Sequence, residues 1–220
     1  MTISELDRIR QGVIDGDMVA VKDLTAKALE EGTEPLQLFR QALVPAMDVV
    51  GEKMRTGEYF IPQVLLAARA MRSATELVKP LIVKSRGYEP TGRVVIGTVA
   101  GDMHDIGKNL VAMMLEGAGF EVLDLGVDVS IDSFVEAVKQ KKPDILGISA
   151  LLTTTMGRMD DVIKALGKAG HRQRVKVMVG GAPISHRFAQ ELSADGYAED
   201  AAAAVELAKE LMAARRPSTA

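Results

Sequence analysis

The sequence predicts an α/β protein in which an N-terminal four-helix bundle precedes a doubly wound parallel β-sheet. Three observations predict this architecture. Apolar residues recur at helical spacing up to about residue 85, short branched-aliphatic runs alternate with helical segments from residue 93 to 213, and a stretch with glycine and proline separates the two patterns. Strands that alternate with helices at this spacing form a parallel sheet covered by helices.

The N-terminal half, residues 1–85, has the pattern of a helical bundle. Ile61, Val64 and Leu65 recur at the spacing of one helical face, and Lys, Arg and Glu fill the gaps between such positions. Turn-forming stretches divide this half into about four helices, and they lie at 15–17, 32–35 and 57–59. Residues 86–92 contain two glycines and a proline, and they are predicted to be the linker.

The C-terminal half, residues 93–213, alternates strand and helix patterns. The predicted strands lie at 93–99, 121–125, 144–149, 175–179 and, as a weak signal, 196–198. The predicted helices lie at 107–118, 131–141, 155–169, 185–192 and 201–213. This alternation is typical of a Rossmann-like, flavodoxin-like sheet, whose ligands bind at the carboxyl ends of the strands. Residues 214–220 are predicted to be a disordered tail.

Composition excludes several classes of function. The formal net charge of -3 provides no basic surface, so nucleic acid is not an expected partner. The absence of cysteine excludes disulfides, iron–sulfur clusters and cysteine nucleophiles. The acidic, amphipathic start does not resemble a signal peptide, and no run approaches the roughly 20 apolar residues that cross a bilayer. We therefore expect a cytoplasmic protein without a membrane partner.

Small or polar residues follow three of the predicted strands. They are GDMH at 101–104, SALLTTT at 149–155 and GGAP at 180–183. Because the carboxyl ends of parallel strands meet at one edge of a sheet, we expect these loops to line one cleft. His104, one of only three histidines, belongs to the first loop.

The residues alone leave the role of His104 open. A lone histidine in a loop is more often a structural residue than a ligand. A divalent metal held by Asp102, His104 and Asp105 is conceivable, since carboxylate and imidazole are the usual ligands in a chain without cysteine. The other two histidines, His171 and His186, lie in segments predicted to be surface helix or turn and do not add to such a site.

Nucleotide binding and nucleophilic catalysis have weaker support. Asp124 follows the second strand, where an acidic residue can bind a ribose. However, Gly97, Gly101 and Gly107 do not form the G-x-G-x-x-G pattern of nicotinamide-binding proteins. Nothing in the sequence identifies Ser149 as a nucleophile, because a serine also needs a histidine base and an orienting acid.

Three short motifs occur in order: D-x-H-x-x-G at 102–107, S-x-L at 149–151 and G-G at 180–181, separated by 41 and 28 residues. In motif and spacing they match the signature of cobalamin-binding domains. From about residue 5 to 213, the chain resembles the corrinoid proteins of methanol, methylamine and methoxyarene methyltransferase systems. It also resembles the corresponding two-domain segment of cobalamin-dependent methionine synthase. The segment GEKMRTGEYFIPQVLLAARAM, residues 51–71, is similar to the helical cap that covers the corrin in that family.

The resemblance implies a specific role for His104 as the lower axial ligand of cobalt. Its imidazole would displace the benzimidazole of the cofactor, a mode called base-off/His-on. Asp102 would accept the other ring N–H, and Thr155 would supply a hydroxyl to this relay, where the methionine synthase segment has serine. Such partners fix the tautomer of a ligating histidine. The resemblance also couples the protonation of His104 to the oxidation state of cobalt.

The resemblance implies further cobalamin contacts in both halves. The nucleotide tail would pass Ser149, Leu151 and Thr153, with Gly180 and Gly181 leaving room for it. The expected contacts in the C-terminal half are Gly101, Asp102, Met103, His104, Asp105, Ile106, Gly107, Ser149, Leu151, Thr153, Gly180, Gly181 and Ala201. Those in the cap are Met54, Ile61 and Val64, and an apolar lid there would restrict solvent access. Alternatively, Val64, Leu65 and Met54 belong to the core of the helical bundle. Met54 stands where the methionine synthase segment has an aromatic residue.

The implied function is that of a methyl carrier with a cobalamin cofactor such as methylcobalamin or hydroxocobalamin. A substrate-specific methyltransferase would place the methyl group on cobalt, and a second methyltransferase would transfer it to tetrahydrofolate or coenzyme M. A reductive activator of cobalt(II) is the third expected partner. Since 220 residues leave no room for a barrel domain, we expect a subunit rather than a complete enzyme.

Two other functions use similar modules. A cobalamin-dependent sensor or light-responsive regulator resembles the same two domains, but such regulators carry a DNA-binding segment and a tryptophan above the corrin. This chain contains no tryptophan. A mutase small subunit is the third possibility, and it leaves the helical cap unexplained. The methyl donor is a choice among methoxyarenes, methylamines, methanol and betaines.

Overall fold

A computed structural model describes residues 4–84 and 89–215 of the chain. The chain forms two compact units. The helical unit comprises Met1–Glu89 with Gly117–Gly119, and the sheet unit comprises Pro90–Glu116 with Phe120–Ala220. The division falls within the predicted linker, 86–92, of which residues 86–88 lie outside the described residues.

The helical unit contains four helical segments, in agreement with the predicted bundle. Its helices are α1 (Glu5–Asp15), α2 (Met18–Glu30), α3 (Pro35–Leu38), α4 (Val44–Arg55) and α5 (Ile61–Lys84), with a π-helical turn at Phe39–Leu43. Because the π turn joins α3 directly to α4, residues 35–55 form one continuous segment. Pro45 explains the turn, since its ring cannot donate to the preceding turn and would clash with a carbonyl in α geometry.

Local residue chemistry sets the first helix boundaries. Ser4 caps α1 by accepting from the Asp7 N–H, and Asp17 caps α2 by accepting from the Ala20 N–H. Gly16 ends α1 with φ +73°, and a side chain there would collide with Leu66 at 2.6 Å from its Cβ. The α5 helix packs against α1, α2 and α4, and the unit buries apolar side chains from all of these helices.

The sheet unit contains five parallel strands in the order β2-β1-β3-β4-β5. The strands are β1 (Arg93–Thr98), β2 (Glu121–Asp124), β3 (Ile145–Ser149), β4 (Lys176–Gly180) and β5 (Gly196–Ala198). The helices between and after them are α6 (Ile106–Gly117), α7 (Ile131–Lys141), α8 (Arg158–Lys168), α9 (His186–Glu191) and α10 (Ala201–Arg215). The predicted Rossmann-like fold is therefore confirmed, and its topological switch point lies between β1 and β3.

Branched side chains of the central strands form the core of the sheet unit. Val95, Leu146 and Val177 are at most 1% exposed and pack in one cluster with residues of α7 and α8. Gly97 lets Phe134 approach the sheet, because a side chain at residue 97 would lie 3.0 Å from the Phe134 ring. The ends of β1 and β3 lie side by side because the two strands pair in register up to Thr98 and Ser149.

Two predicted helix boundaries in the sheet unit differ from the structure by two or more residues. Helix α8 begins at Arg158 rather than at residue 155, and residues 152–157 form bends and turns. Helix α10 continues to Arg215, so residues 214 and 215 of the predicted tail are helical, while residues 216–220 lie outside the described residues. Across residues 4–84 and 89–215, each helix is too short or too polar to span a membrane.

Candidate functional site

The site lies where three neighbouring strands end. Thr98 of β1 pairs in register with Ser149 of β3, and Ser149 pairs with Gly180 of β4. The three loops that were predicted to line one cleft therefore leave the same edge of the sheet. The loop after β1 carries His104, and it lies between the loops that follow β2 and β3 because β1 is flanked by these strands.

A buried carboxylate organises this edge. Asp102 is 0% exposed and accepts five hydrogen bonds. Its Oδ2 accepts from the backbone N–H of Leu151 at 2.8 Å, from that of Leu152 at 3.3 Å and from the Thr155 hydroxyl at 2.8 Å. Its Oδ1 accepts from the His104 backbone N–H at 3.1 Å and from ring atom Nδ1 at 2.7 Å. The carboxylate thus joins the loop after β1 to the loop after β3.

These donors keep Asp102 ionised. Burial by itself raises the pKa of the Asp102 carboxyl. The hydrogen bonds from Leu151, His104 and Thr155 outweigh burial and hold the pKa well below its ordinary value. A carboxylate is therefore present at neutral pH, and it can only accept hydrogen bonds.

The ionised carboxylate selects the tautomer of His104. Because Asp102 can only accept, Nδ1 must carry the proton in their 2.7 Å hydrogen bond. In the neutral ring, Nε2 then keeps its lone pair and can bind a metal. The His104 side chain is 50% exposed, and its backbone carbonyl accepts from the buried Thr98 hydroxyl at 2.9 Å. The structure brings His104, Asp102 and Thr155 together, as predicted.

Apolar side chains in the same two loops and at the start of α6 remain exposed. Met103 and Ile106 are 69% and 73% exposed, and Leu151 and Leu152 are 41% and 40% exposed. Large apolar side chains at such exposures beside a single available imidazole fit a cofactor that has a broad apolar face and its own metal ligands. The residues present therefore fit a corrinoid, whose cobalt can take a nitrogen ligand from a protein side chain.

A bare divalent ion fits this edge poorly. No group of three or more His, Asp or Glu side chains with metal-binding geometry occurs in the described part of the chain. The Asp102 carboxylate is occupied by its five donors, and Asp105 accepts from the Asn109 side chain at 3.0 Å. Asp105 immediately precedes α6, where a carboxylate is electrostatically favoured.

The glycines of the motifs serve different purposes. Gly181 has φ +127°, and a side chain there would lie 1.9 Å from the Ala150 carbonyl oxygen. The fold itself therefore requires glycine at 181, whether or not a nucleotide tail passes there. At Gly180 the nearest atom, the Ala198 carbonyl oxygen, would be 3.1 Å away. By contrast, a side chain at Gly107 would meet nothing within 4 Å.

The remaining predicted contacts lie in several elements. In the sheet unit, Ser149 is partly buried at the end of β3, Thr153 is exposed, and Ala201 is buried at the start of α10. In the helical unit, Met54 is partly buried, Ile61 is 48% exposed and Val64 is fully buried. Complete burial is what a bundle-core residue shows. The contacts of these six residues with a cofactor stay predictions.

Asp124 has a structural partner that the sequence did not reveal. The Lys108 side chain is 1% exposed, and its ammonium donates to Asp124 and to the Asn109 side chain. The second oxygen of Asp124 accepts from the Gly126 N–H at 2.8 Å. The carboxylate therefore fastens the start of α6 to the end of β2, and the ribose-binding role considered for it has no support. The one signal in the sequence was a lysine in the first turn of a helix whose residues 110–115 are all apolar.

Both halves of the chain match models of known families. A family described as "B12 binding domain" matches residues 92–206, and a second family with the same description matches residues 5–79. The chain is 42% identical over 215 residues to a corrinoid protein of Desulfitobacterium hafniense, covering 96% of this chain and 99% of that protein. It is also 42% identical over 199 residues to the trimethylamine corrinoid protein of Methanosarcina barkeri, with coverages of 90% and 92%.

Solved structures show the same two-part architecture. The chain is similar to a chain in the crystal structure of the methanol:cobalamin methyltransferase complex from Methanosarcina barkeri, with TM-score 0.85 and 32% identity over 95% of this chain and 80% of that chain. It is also similar to a cobalamin-binding protein from Desulfitobacterium hafniense, with TM-score 0.77 and 33% identity over 94% of this chain and 98% of that one.

Proposed function

The chain belongs to the family of B12-binding corrinoid proteins, and from this we propose that it carries a methyl group on a corrinoid for a methyltransferase system. The observation that carries the proposal is the hydrogen bond between His104 Nδ1 and the buried Asp102 carboxylate. It leaves Nε2 as the atom that would bind cobalt from below, in the base-off/His-on mode. When bound, cobalt supplies the centre that accepts and releases the methyl group.

The residues around His104 hold its ring ready for this role. Asp102 orients the imidazole by accepting the hydrogen bond from Nδ1, as carboxylate partners of ligating histidines do. Leu151 and Thr155 hold the Asp102 carboxylate, so that its position does not depend on His104 alone.

The exposed apolar side chains near the ends of β1 and β3 form the proposed contact surface for the cofactor. Met103, Ile106 and Leu151 offer exposed apolar area to the face of a corrin, and burial of that area favours binding. Water is thereby excluded from the region of Nε2. In our proposal, Ser149 and Thr153 hydroxyls hydrogen-bond the displaced nucleotide tail, and Met54 and Ile61 of the helical unit lie over the methyl group.

The relatives suggest the partners. Their names include trimethylamine and dimethylamine corrinoid proteins, and one solved relative belongs to a methanol:cobalamin methyltransferase complex. We infer that a substrate-specific methyltransferase methylates this protein and that a second methyltransferase, using tetrahydrofolate or coenzyme M, demethylates it. A reductive activator would reduce cobalt(II) so that the cofactor could accept a methyl group again. Methylamines and methanol are the first donors to test.

The axial role of His104 can be tested by spectroscopy. Wild type and His104→Ala are loaded with hydroxocobalamin and reduced to cobalt(II). In wild type, one nitrogen should split the electron paramagnetic resonance lines, and the splitting should change from three lines to two when histidine is labelled with ¹⁵N. The label distinguishes histidine from the benzimidazole of the cofactor.

Two histidine variants test whether the nitrogen that splits the lines belongs to His104. His104→Ala should remove the histidine splitting, whereas His186→Ala, a matched change in α9, should leave it intact. A label-sensitive splitting that persists in His104→Ala would contradict the axial assignment. The carrier role is tested separately, by mixing the loaded protein with the methyltransferase that co-purifies with it and following loss of the methyl group from each candidate donor.

A further inference from the structure

We propose that Asp128 is a positioning residue for His104, acting through the two residues Gly101 and Asp102. The inference rests on the proposed axial role of His104. Asp128 lies in the loop between β2 and α7, which the sequence motifs do not include. It touches neither the ring of His104 nor the carboxylate of Asp102 through any hydrogen bond found in the described residues.

Asp128 is joined to the loop after β1 by two hydrogen bonds, one that it accepts and one that it donates. The Asp128 carboxylate accepts from the Gly101 backbone N–H at 2.7 Å. The Asp128 backbone N–H donates to the Asp102 carbonyl at 3.0 Å. One residue therefore holds the backbone on both sides of the Asp102 α-carbon, while Leu151 and Thr155 hold the Asp102 side chain from the opposite loop.

The backbone that Asp128 holds contains a conformationally permissive residue, and apart from Asp128 it is held by the Asp102 N–H, which donates to the Val99 carbonyl at 3.2 Å. Gly101 has φ +82°, a region open to glycine that it exchanges readily for other conformations. Rotation at Gly101 would swing the Asp102 carboxylate and, with it, the hydrogen bond to His104 Nδ1. The Asp128 carboxylate restricts that rotation by fixing the Gly101 N–H.

Asp128 is itself held in an unfavourable conformation. Its φ of +52° lies in the left-handed region, which aspartate tolerates better than most residues but which still costs energy. The neighbouring backbone maintains it: Val129 N–H donates to the Thr98 carbonyl at 2.9 Å, and Thr98 N–H donates to the Gly126 carbonyl at 3.0 Å. Such strain persists only where the surroundings impose it, and it occurs preferentially at functional sites.

Three variants separate the side chain from the backbone. Asp128→Gly removes the acceptor for Gly101 but keeps the N–H to Asp102 and accepts the positive φ without strain. Asp128→Asn keeps an acceptor oxygen and also tolerates the left-handed region. Asp195→Ala is the matched control, since Asp195 accepts from the Val177 N–H at 2.8 Å at the opposite edge of the sheet and should affect stability alone.

Two readouts report the position of the ring. In the cofactor-free protein, ¹⁵N NMR of His104 gives the share of the tautomer protonated at Nδ1. In the loaded protein, the cobalt(II) spectrum gives the share of histidine-ligated cobalt. We expect Asp128→Gly to mix the tautomers and to lower the affinity of cobalt for His104 about 10-fold, the scale of losing an outer partner of a metal ligand. Asp128→Asn and Asp195→Ala should match wild type in both readouts.

The outcomes distinguish this inference from the function on which it rests. If wild type shows no histidine splitting, the axial role of His104 is wrong and the inference falls with it. If wild type shows the splitting and Asp128→Gly equals wild type in both readouts, only the role of Asp128 is overturned. An equal loss in Asp195→Ala would also overturn it, because the effect would then follow from reduced stability.

Discussion

At the scale of single residues, Asp102 decides which nitrogen of His104 is available to a metal. The carboxylate is completely buried, yet its five donors keep it ionised and leave it no freedom to accept a proton from elsewhere. A protonated or amide side chain in its place would present a hydrogen toward some of these donors. The tautomer of His104 therefore depends on a charge that donors in the loops after β1 and β3 stabilise together.

We expect Asp102→Asn to destabilise the cofactor-free protein at pH 7 by about 1–3 kcal/mol, because buried donors lose a charged acceptor. The folded-state pKa of Asp102 lies below its ordinary value, so its contribution is fully present above about pH 5 and is lost as the pH falls through about 4 and below. The difference between variant and wild type should shrink accordingly. Urea unfolding at pH 7 and near pH 3.5 measures it, and an equal difference at both pH values would contradict the assignment.

At the scale of elements, the start of α6 contains a buried residue that is bonded to the sheet, Lys108, next to a glycine with no protein atom close to it, Gly107. Lys108 is buried against Asp124 of β2 and holds the first turn of α6 to the sheet. One residue earlier, Gly107 faces a region where an added side chain would meet no protein atom within 4 Å. A glycine in a helix costs stability relative to alanine, so its presence here needs a reason outside the cofactor-free protein.

We expect Gly107→Ala to stabilise the cofactor-free protein by up to about 1 kcal/mol and to weaken corrinoid binding, since the added methyl group would occupy space proposed for the cofactor. Gly181→Ala is the contrasting change, because its side chain would collide with the Ala150 carbonyl and destabilise the protein without any cofactor. Urea unfolding and titration with hydroxocobalamin measure both effects. Unchanged corrinoid affinity in Gly107→Ala would count against a contact at this residue.

At the scale of the whole molecule, each of the two units matches a family of B12 binding domains. The B12 binding domain families match residues 5–79 in the helical unit and residues 92–206 in the sheet unit. The sheet unit contains His104 and the exposed apolar side chains of Met103, Ile106 and Leu151. The helical unit supplies the proposed contacts of Met54, Ile61 and Val64, which only a bound cofactor can test.

We expect a bound corrinoid to slow amide hydrogen exchange in both units, because ligand binding suppresses local opening. The protected peptides should include residues 98–107 in the sheet unit and 51–65 in the helical unit. Residues 170–176, at the opposite edge of the sheet, should exchange at the same rate with and without cofactor. Protection confined to the sheet unit would contradict the predicted contacts of Met54, Ile61 and Val64.

The sequence by itself determined the elements and singled out the loop after β1, which carries the candidate ligand His104. Period-2 and helical patterns are local, so strands such as β5 and helices such as α7 were predicted with the bounds that the structure shows. The order of three short motifs was enough to select His104, because parallel strands bring their carboxyl ends to one edge whatever lies between them. The beginning of α8 was predicted three residues early, since Leu151, Leu152 and Thr155 donate to Asp102 before the helix can begin.

Only the tertiary structure decided how that loop is held. The Thr155 hydroxyl meets Asp102 across 53 residues of chain, and the Gly101 N–H meets Asp128 across 27. The need for glycine at 181, imposed by the Ala150 carbonyl, likewise arises between neighbouring loops. Such contacts depend on strand order and on register to within one residue, which local patterns do not encode. The chemistry proposed for His104 therefore follows from a short motif, while the orientation of its ring depends on how the loops at the end of the sheet pack together.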